Sequence, residues 1–171
     1  MSAPTLEEVV ALRASSAAQI VEVDEPMAKL VVFELGGDRF ALRGECVREI
    51  LAELPVFFVP GCPAQIEGVI NLRGSVESVL RIDDALGLAP EKGENARAML
   101  LIEAAGIRSA IRIGRVIDVC DVPVRAIEAP PGALAEALQG VVCGIVGAAD
   151  GPALLLDPAL LLTRHGAGAE R

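Results

Sequence analysis

Tryptophan and tyrosine are absent from this 171-residue chain, phenylalanine occurs four times and histidine once. Without indoles or phenols, a core must be assembled from Ala, Val, Leu and Ile, which favours thin, closely packed layers. The single His165 lies in the C-terminal tail, and Cys46, Cys62, Cys120 and Cys143 nowhere pair as C-x-x-C. A zinc site needs about four convergent S or N ligands, usually in close pairs. The thiols are therefore read as reduced, buried small hydrophobes, and no metal or cofactor is expected. Long apolar runs are missing too. The stretch 54–66, LPVFFVPGCPAQI, holds three prolines, and 137–149, ALQGVVCGIVGAA, is short and Gly-rich. A spanning helix needs ~20 mostly apolar residues, so no transmembrane segment is expected. The first ten residues carry acids where a signal peptide carries bases, which points to the cytoplasm. Basic excess is lacking as well: the net charge is −9 and the pI about 4.6. Duplex binding rests on neutralising phosphates with Lys and Arg, and anionic lipid attracts the same residues. Neither nucleic acid nor direct membrane contact is expected.

What is present is β-rich. Thr5 to Glu8 fits a capping box ahead of Val9, Val10 and Leu12, predicting a helix to about residue 18. An acidic lead-in follows, so 1–28 stands apart. From Ala28 onward short β-forming runs dominate: KLVVFEL and RFALRG around Gly-Gly, CVREIL, GVINLRG and SVESVLRI. The proline-rich 55–63 cannot be a central strand and reads as a connector or edge. AQIEG suggests one helical turn. DDALGL (83–88) suggests a short helix capped by Asp83 or Asp84 and ended by Gly87. The polar stretch 89–97, APEKGENAR, is the best internal boundary. Beyond it come AMLLIEA, IRSAIRIG, RVIDVCDV, VVCGIV and PALLLD, with a Pro- and Ala-rich irregular segment at 123–139. Asp157 and Pro158 open a last helix. About ten short strands with helices only at the edges predict a mainly β protein of two small five-stranded barrels side by side. The first barrel is placed at about 29–88, the second at about 98–157 with the C-terminal helix, and 166–171 is left as a tail. No convincing sequence repeat links the halves.

Catalytic constellations are not found. The Gly-rich 140–147 lacks the Lys-Ser/Thr pair of a phosphate loop and reads as a strand with glycines for close packing. Asp83 and Asp84 at a helix start are ordinary cap and dipole charges. Ser15, Ser16 and Ser75 have no visible base. The informative polar groups are Glu49 in VREIL with Asn71 and Arg73 in NLRG, each within an aliphatic run. An arginine so placed calls for an acidic mate, and Glu49 fits if the two strands are neighbours. The alternative is an exposed pair worth ~0.2–1 kcal/mol with no particular role.

The segments LVVFELGGDRFALRGECVREIL, PGCPAQIEGVINLRGSV and DDALGL resemble the CheW-like adaptor family of bacterial chemotaxis, and weaker likeness runs on to about residue 163. The resemblance implies two β-barrels side by side, no catalysis, and coupling of methyl-accepting chemoreceptor tips to a CheA-type histidine kinase. It implies a receptor-binding surface at Glu49 and Arg73, lined or supported by Val47, Ile50 and Asn71. The kinase-docking region would take in Glu67, Val76, Glu77, Val79, Arg81 and Asp83, where this chain departs from the family. Alternation along a strand puts Glu77, Val79, Arg81 and Asp83 on one face, and so predicts a docking face turned charged, with weakened kinase binding. An enzyme or ligand-binding protein using the inter-barrel cleft is the alternative from another class. The opening Met and polar end argue against a fragment of a larger fusion.

Overall fold

The computed structural model describes residues 25–89 and 97–165. The expected N-terminal helix, the tail and most of the 89–97 stretch lie outside the described residues.

Ten strands form: β1 (Met27–Leu35), β2 (Asp38–Arg43), β3 (Val47–Ala52), β4 (Ile66–Leu72), β5 (Ser75–Leu80), β6 (Ala98–Ala104), β7 (Ile107–Ile113), β8 (Arg115–Pro123), β9 (Val142–Ala148) and β10 (Gly151–Leu156). The described helices are α1 (Ile82–Ala85), α2 (Glu136–Gln139) and α3 (Pro158–His165). Local chemistry explains most boundaries. The β1–β2 turn places Gly36 and Gly37 at positive φ, and the β6–β7 turn does the same with Ala105 and Gly106, as tight hairpins require. Helix α3 starts as its sequence predicts: the Leu160 N–H donates to Asp157 Oδ1 at 3.1 Å, and Pro158 takes the first helical position. Helix α1 differs from expectation. It begins at Ile82 behind Arg81, which makes no side-chain cap, so Asp83 and Asp84 sit in the first turn instead of capping it. Of AQIEG, Ala64 and Gln65 form a turn and Ile66–Gly68 already belong to β4.

The strands build two five-stranded sheets, ordered β8-β1-β2-β10-β9 and β3-β6-β7-β5-β4. The chain halves expected at 29–88 and 98–157 are therefore not the two sheets. Each half gives a two-stranded hairpin to one sheet and three strands to the other. Moving every label on by five turns the first order into the second, and the registers repeat. Ile70 pairs with Glu77 as Val146 pairs with Ala153, and one parallel pair joins each sheet, β10 to β2 and β5 to β7. The polar stretch joins β5 to β6 within the second sheet, whereas the chain passes between the sheets after β2 and after β7, because strand pairing is non-local.

Both sheets curl. The chain after β3 returns to bridge Phe57 to Val69 of β4, and the chain after β8 bridges Glu128 to Ile145 of β9. Opposite edges are thus tied across by single bridges, short of a fully hydrogen-bonded barrel. Gly68 permits the first bridge, since a Cβ there would lie 2.3 Å from the Phe57 carbonyl oxygen. Gly144 is its counterpart, at 3.0 Å from the Glu128 oxygen.

Burial follows from alternation. In β1, Leu30 and Val32 pack with Ala41, Val146 and Leu155 inside the first curled sheet. Val31, Phe33 and Leu35 turn the other way, to meet Leu80, Leu100, Ile102 and Ile111 of the second sheet. Leu51, Ile70, Val79, Met99, Leu101 and Ala110 fill the second sheet's own interior. Both faces of β1 and β6 are buried at their centres, so LVVF and MLLI read as unbroken aliphatic runs.

Candidate functional site at one end of the second sheet

The β4–β5 hairpin closes on Leu72 opposite Ser75, with Arg73 (φ 49°) and Gly74 (φ 87°) as the turn. A left-handed conformation costs a non-glycine residue about 1 kcal/mol. Asn71 fixes the turn: its Oδ1 accepts the Gly74 N–H at 2.8 Å. The Arg73 guanidinium reaches to β3, where Nη1 donates to Glu49 Oε2 at 3.1 Å and Nη2 donates to Oε1. Two parallel bonds make this a forked pair. Hydrogen bonding to Glu49, and then its charge, push the Arg73 pKa above its ordinary value. A register shift between Val47 and Glu49 sets the carboxylate opposite Leu101, the re-aiming that a bulge provides. Glu49 is half-buried, whereas the Arg73 side chain is 74% exposed.

Other arginines and glutamates crowd the same end. Arg108 donates through Nε (3.2 Å) and Nη2 to Glu77, whose side chain is only 7% exposed. Arg48 pairs with Glu103 at 3.2 Å. The opposite end carries a second ionic cluster. There Arg112 joins Glu53 (2.9 Å) and Glu67 (2.6 Å), and Arg97 lies 3.7 Å from Glu53. The second sheet is an aliphatic cylinder with charged plugs. Its twin is aliphatic where the plugs begin, for Ala153 stands where Glu77 does.

Of the expected receptor-surface residues, Glu49 and Arg73 come together. Val47 is half-buried against the core between the sheets, Ile50 is 46% exposed, and Asn71 is exposed while supporting the turn. The expected kinase-docking set does not form one face. Val79 is wholly buried and Glu77 nearly so, both turned into the sheet interior. Glu67 is held by Arg112, Arg81 is exposed, and Asp83 is half-buried. Alternation holds for Glu77 and Val79 within β5, but the strand ends at Leu80, so Arg81 and Asp83 lie beyond it, and both faces of β5 are covered over most of its length. Val76, 71% exposed, is the strand's open residue. Sequence reasoning missed Phe57 and Phe58, exposed by 59% and 78%. Phe57 bridges to Val69 on one side of β4, and Val76 pairs with Asn71 on its other side. Two of four phenylalanines inside a proline-rich connector was the available signal.

Among the described residues no cluster of His, Cys, Asp and Glu could hold a metal, and no helix is long and apolar enough to cross a membrane. All four cysteines are free. Burial pushes the Cys46, Cys120 and Cys143 thiols up, with nearby carboxylates adding to it.

The family model described as CheW-like domain matches residues 29–165. The chain belongs to the CheW family. The family consists of non-enzymatic scaffolds of chemotaxis, which removes the enzyme alternative. A probable chemotaxis protein CheW from Rhizobium etli is 32% identical over 53% of this chain, and the match spans just over half, 56%, of that protein. The chemotaxis protein CheW of Rhizobium meliloti is 25% identical over 69% of this chain and 76% of its own length. That of Treponema pallidum is 27% identical over 70% and 75%. In fold, the chain is similar to the scaffolding protein TtCheW of Thermoanaerobacter tengcongensis. The TM-score is 0.71 at 24% identity, covering 82% of this chain and 96% of that one.

Proposed function

We propose that this protein is a cytoplasmic adaptor that couples the tips of methyl-accepting chemoreceptors to the regulatory domain of a CheA-type histidine kinase. The forked Glu49–Arg73 pair carries the reading. It holds a guanidinium in one orientation at the surface, while on the same strand Val47 packs against the core between the sheets and Ile50 is exposed. A receptor tip is a helical hairpin with an amphipathic face, which suits an aliphatic edge beside a fixed polar pair. Arg73→Glu places two carboxylates together and removes the fork, and is expected to abolish capture of a receptor cytoplasmic fragment without changing the circular dichroism spectrum. Undiminished capture by the folded variant contradicts the assignment.

For the kinase we assign the exposed Phe57, Phe58 and Val76. Exposed aromatic and aliphatic groups of this kind mark interaction surfaces. Of the charges that argued for weakened kinase binding, Glu77 faces inward and is matched by Arg108, which supports a kinase contact of ordinary strength. Calorimetry against the kinase regulatory domain is expected to give sub-micromolar affinity, lowered at least tenfold by Phe58→Ser, about 1.4 kcal/mol. Equal affinity for wild type and variant rules the assignment out.

A further inference from the structure

The end of the second sheet away from Arg73 holds a hollow of about 170 Å³. Its floor is apolar: Leu35 from the end of β1, Leu80, Ile82 and Ile113, each almost fully buried. Its rim is charged, with Glu67, Arg81, Asp83, Arg97 and Arg112. Most of that charge is already committed. Arg112 holds Glu67 and Glu53, and Arg97 faces Glu53. Arg81 and Asp83 are the exceptions, since neither side chain has a hydrogen bond or ion pair among the described residues. They flank Ile82, whose side chain lies in the floor. The Arg112 Nε–H is also buried in the lining without an acceptor.

Two uncommitted opposite charges two residues apart, lining the same hollow as an aliphatic floor, fit a zwitterion with an apolar body. A guanidinium takes a carboxylate in forked geometry, and a carboxylate takes an ammonium. An inorganic anion leaves the floor unused, and an uncharged hydrocarbon leaves both charges unused. The space suits a side chain of leucine size, given that an engineered cavity of about 150 Å³ admits benzene. We propose that this hollow binds a free α-amino acid with a branched aliphatic side chain: carboxylate on Arg81, ammonium on Asp83, side chain over Ile82. The site is at the far end from Glu49 and Arg73, so it stands or falls independently of the adaptor reading.

The test is titration of the ¹⁵N-labelled full chain with L-leucine, 4-methylpentanoate and 3-methylbutylamine, following the backbone amides of Leu80, Ile82 and Ile113. L-leucine is expected to saturate at millimolar concentration. Each analogue, lacking one charge, is expected to bind about fivefold more weakly, the upper range for one exposed charge contact. Arg81→Gln should reduce leucine to the level of the amine, and Asp83→Asn to that of the carboxylate, with melting curves unchanged. Equal binding by leucine and either analogue overturns the proposal, as do unaltered responses in both variants or no saturable shift with leucine.

Discussion

Glu77 and Arg73 sit on one hairpin, and their fates differ by what surrounds them. Arg73 stays in solvent and is oriented by Glu49; Glu77 is drawn inside and is neutralised by Arg108. The first pairing was legible in the sequence, because an arginine and a glutamate each isolated in an aliphatic run have few other mates. The second was not. Alternation separates two faces, but only the whole assembly shows that both are covered. Breaking a buried pair by deleting one partner costs ~3–5 kcal/mol, and replacing both with apolar groups is often neutral or stabilising. Arg108 is half exposed, so Arg108→Ala is expected to cost less, about 2 kcal/mol by urea denaturation. Glu77→Val with Arg108→Leu is expected to recover that loss. If Arg108→Ala leaves stability unchanged, Glu77 is not sealed as described. The cysteines give a second test at this scale. Burial raises the Cys46, Cys120 and Cys143 thiols, so the reactive thiolate is scarce at neutral pH. Alkylation of these three thiols by iodoacetamide, followed residue by residue, is expected to be slower than for a free thiol at pH 7 and to rise as pH passes the ordinary thiol range. Rapid labelling at pH 7 contradicts it.

Elements were largely readable because turn chemistry and β-forming runs agree. About ten short strands were expected and ten form among the described residues, and the Asp157–Pro158 helix start is where the residues put it. The failure at α1 is instructive: two acids at a helix start can serve its first turn as well as its cap, and the sequence does not distinguish them. The bridges that tie each sheet's edges were not readable either, since they join a connector to a strand across a gap in sequence. They do make glycine specific. Gly68→Ala would drive a Cβ into the Phe57 carbonyl, whereas Gly147 has nothing within 4 Å of its position. Thermal or chemical unfolding is expected to show a loss of about 2–3 kcal/mol for Gly68→Ala, at the upper end for overpacking, and little change for Gly147→Ala. Comparable effects in both would remove the bridge from the account.

At the scale of the molecule, two sheets share one chain by exchange: β1 and β2 leave the first half to join β8, β9 and β10, and β6 and β7 do the reverse. Composition revealed a boundary between chain halves near 89–97 but gave no sign of the exchange, because pairing partners leave no mark in local sequence. Cutting the chain within that stretch is therefore expected to give two halves that are each unfolded by circular dichroism and regain β structure on mixing. Independent folding of either half contradicts the topology. The second sheet also brings the β4–β5 turn and β3 to one end, where Arg73 meets Glu49. The most direct measurement of that claim is calorimetric affinity for a receptor cytoplasmic hairpin, taken for wild type, Arg73→Glu, Glu49→Arg and the double swap. The account predicts that each single change loses binding, and that the swap rebuilds the fork and restores stability but recovers only part of the affinity, because the receptor meets the wrong charge. Full affinity in either single variant would contradict it.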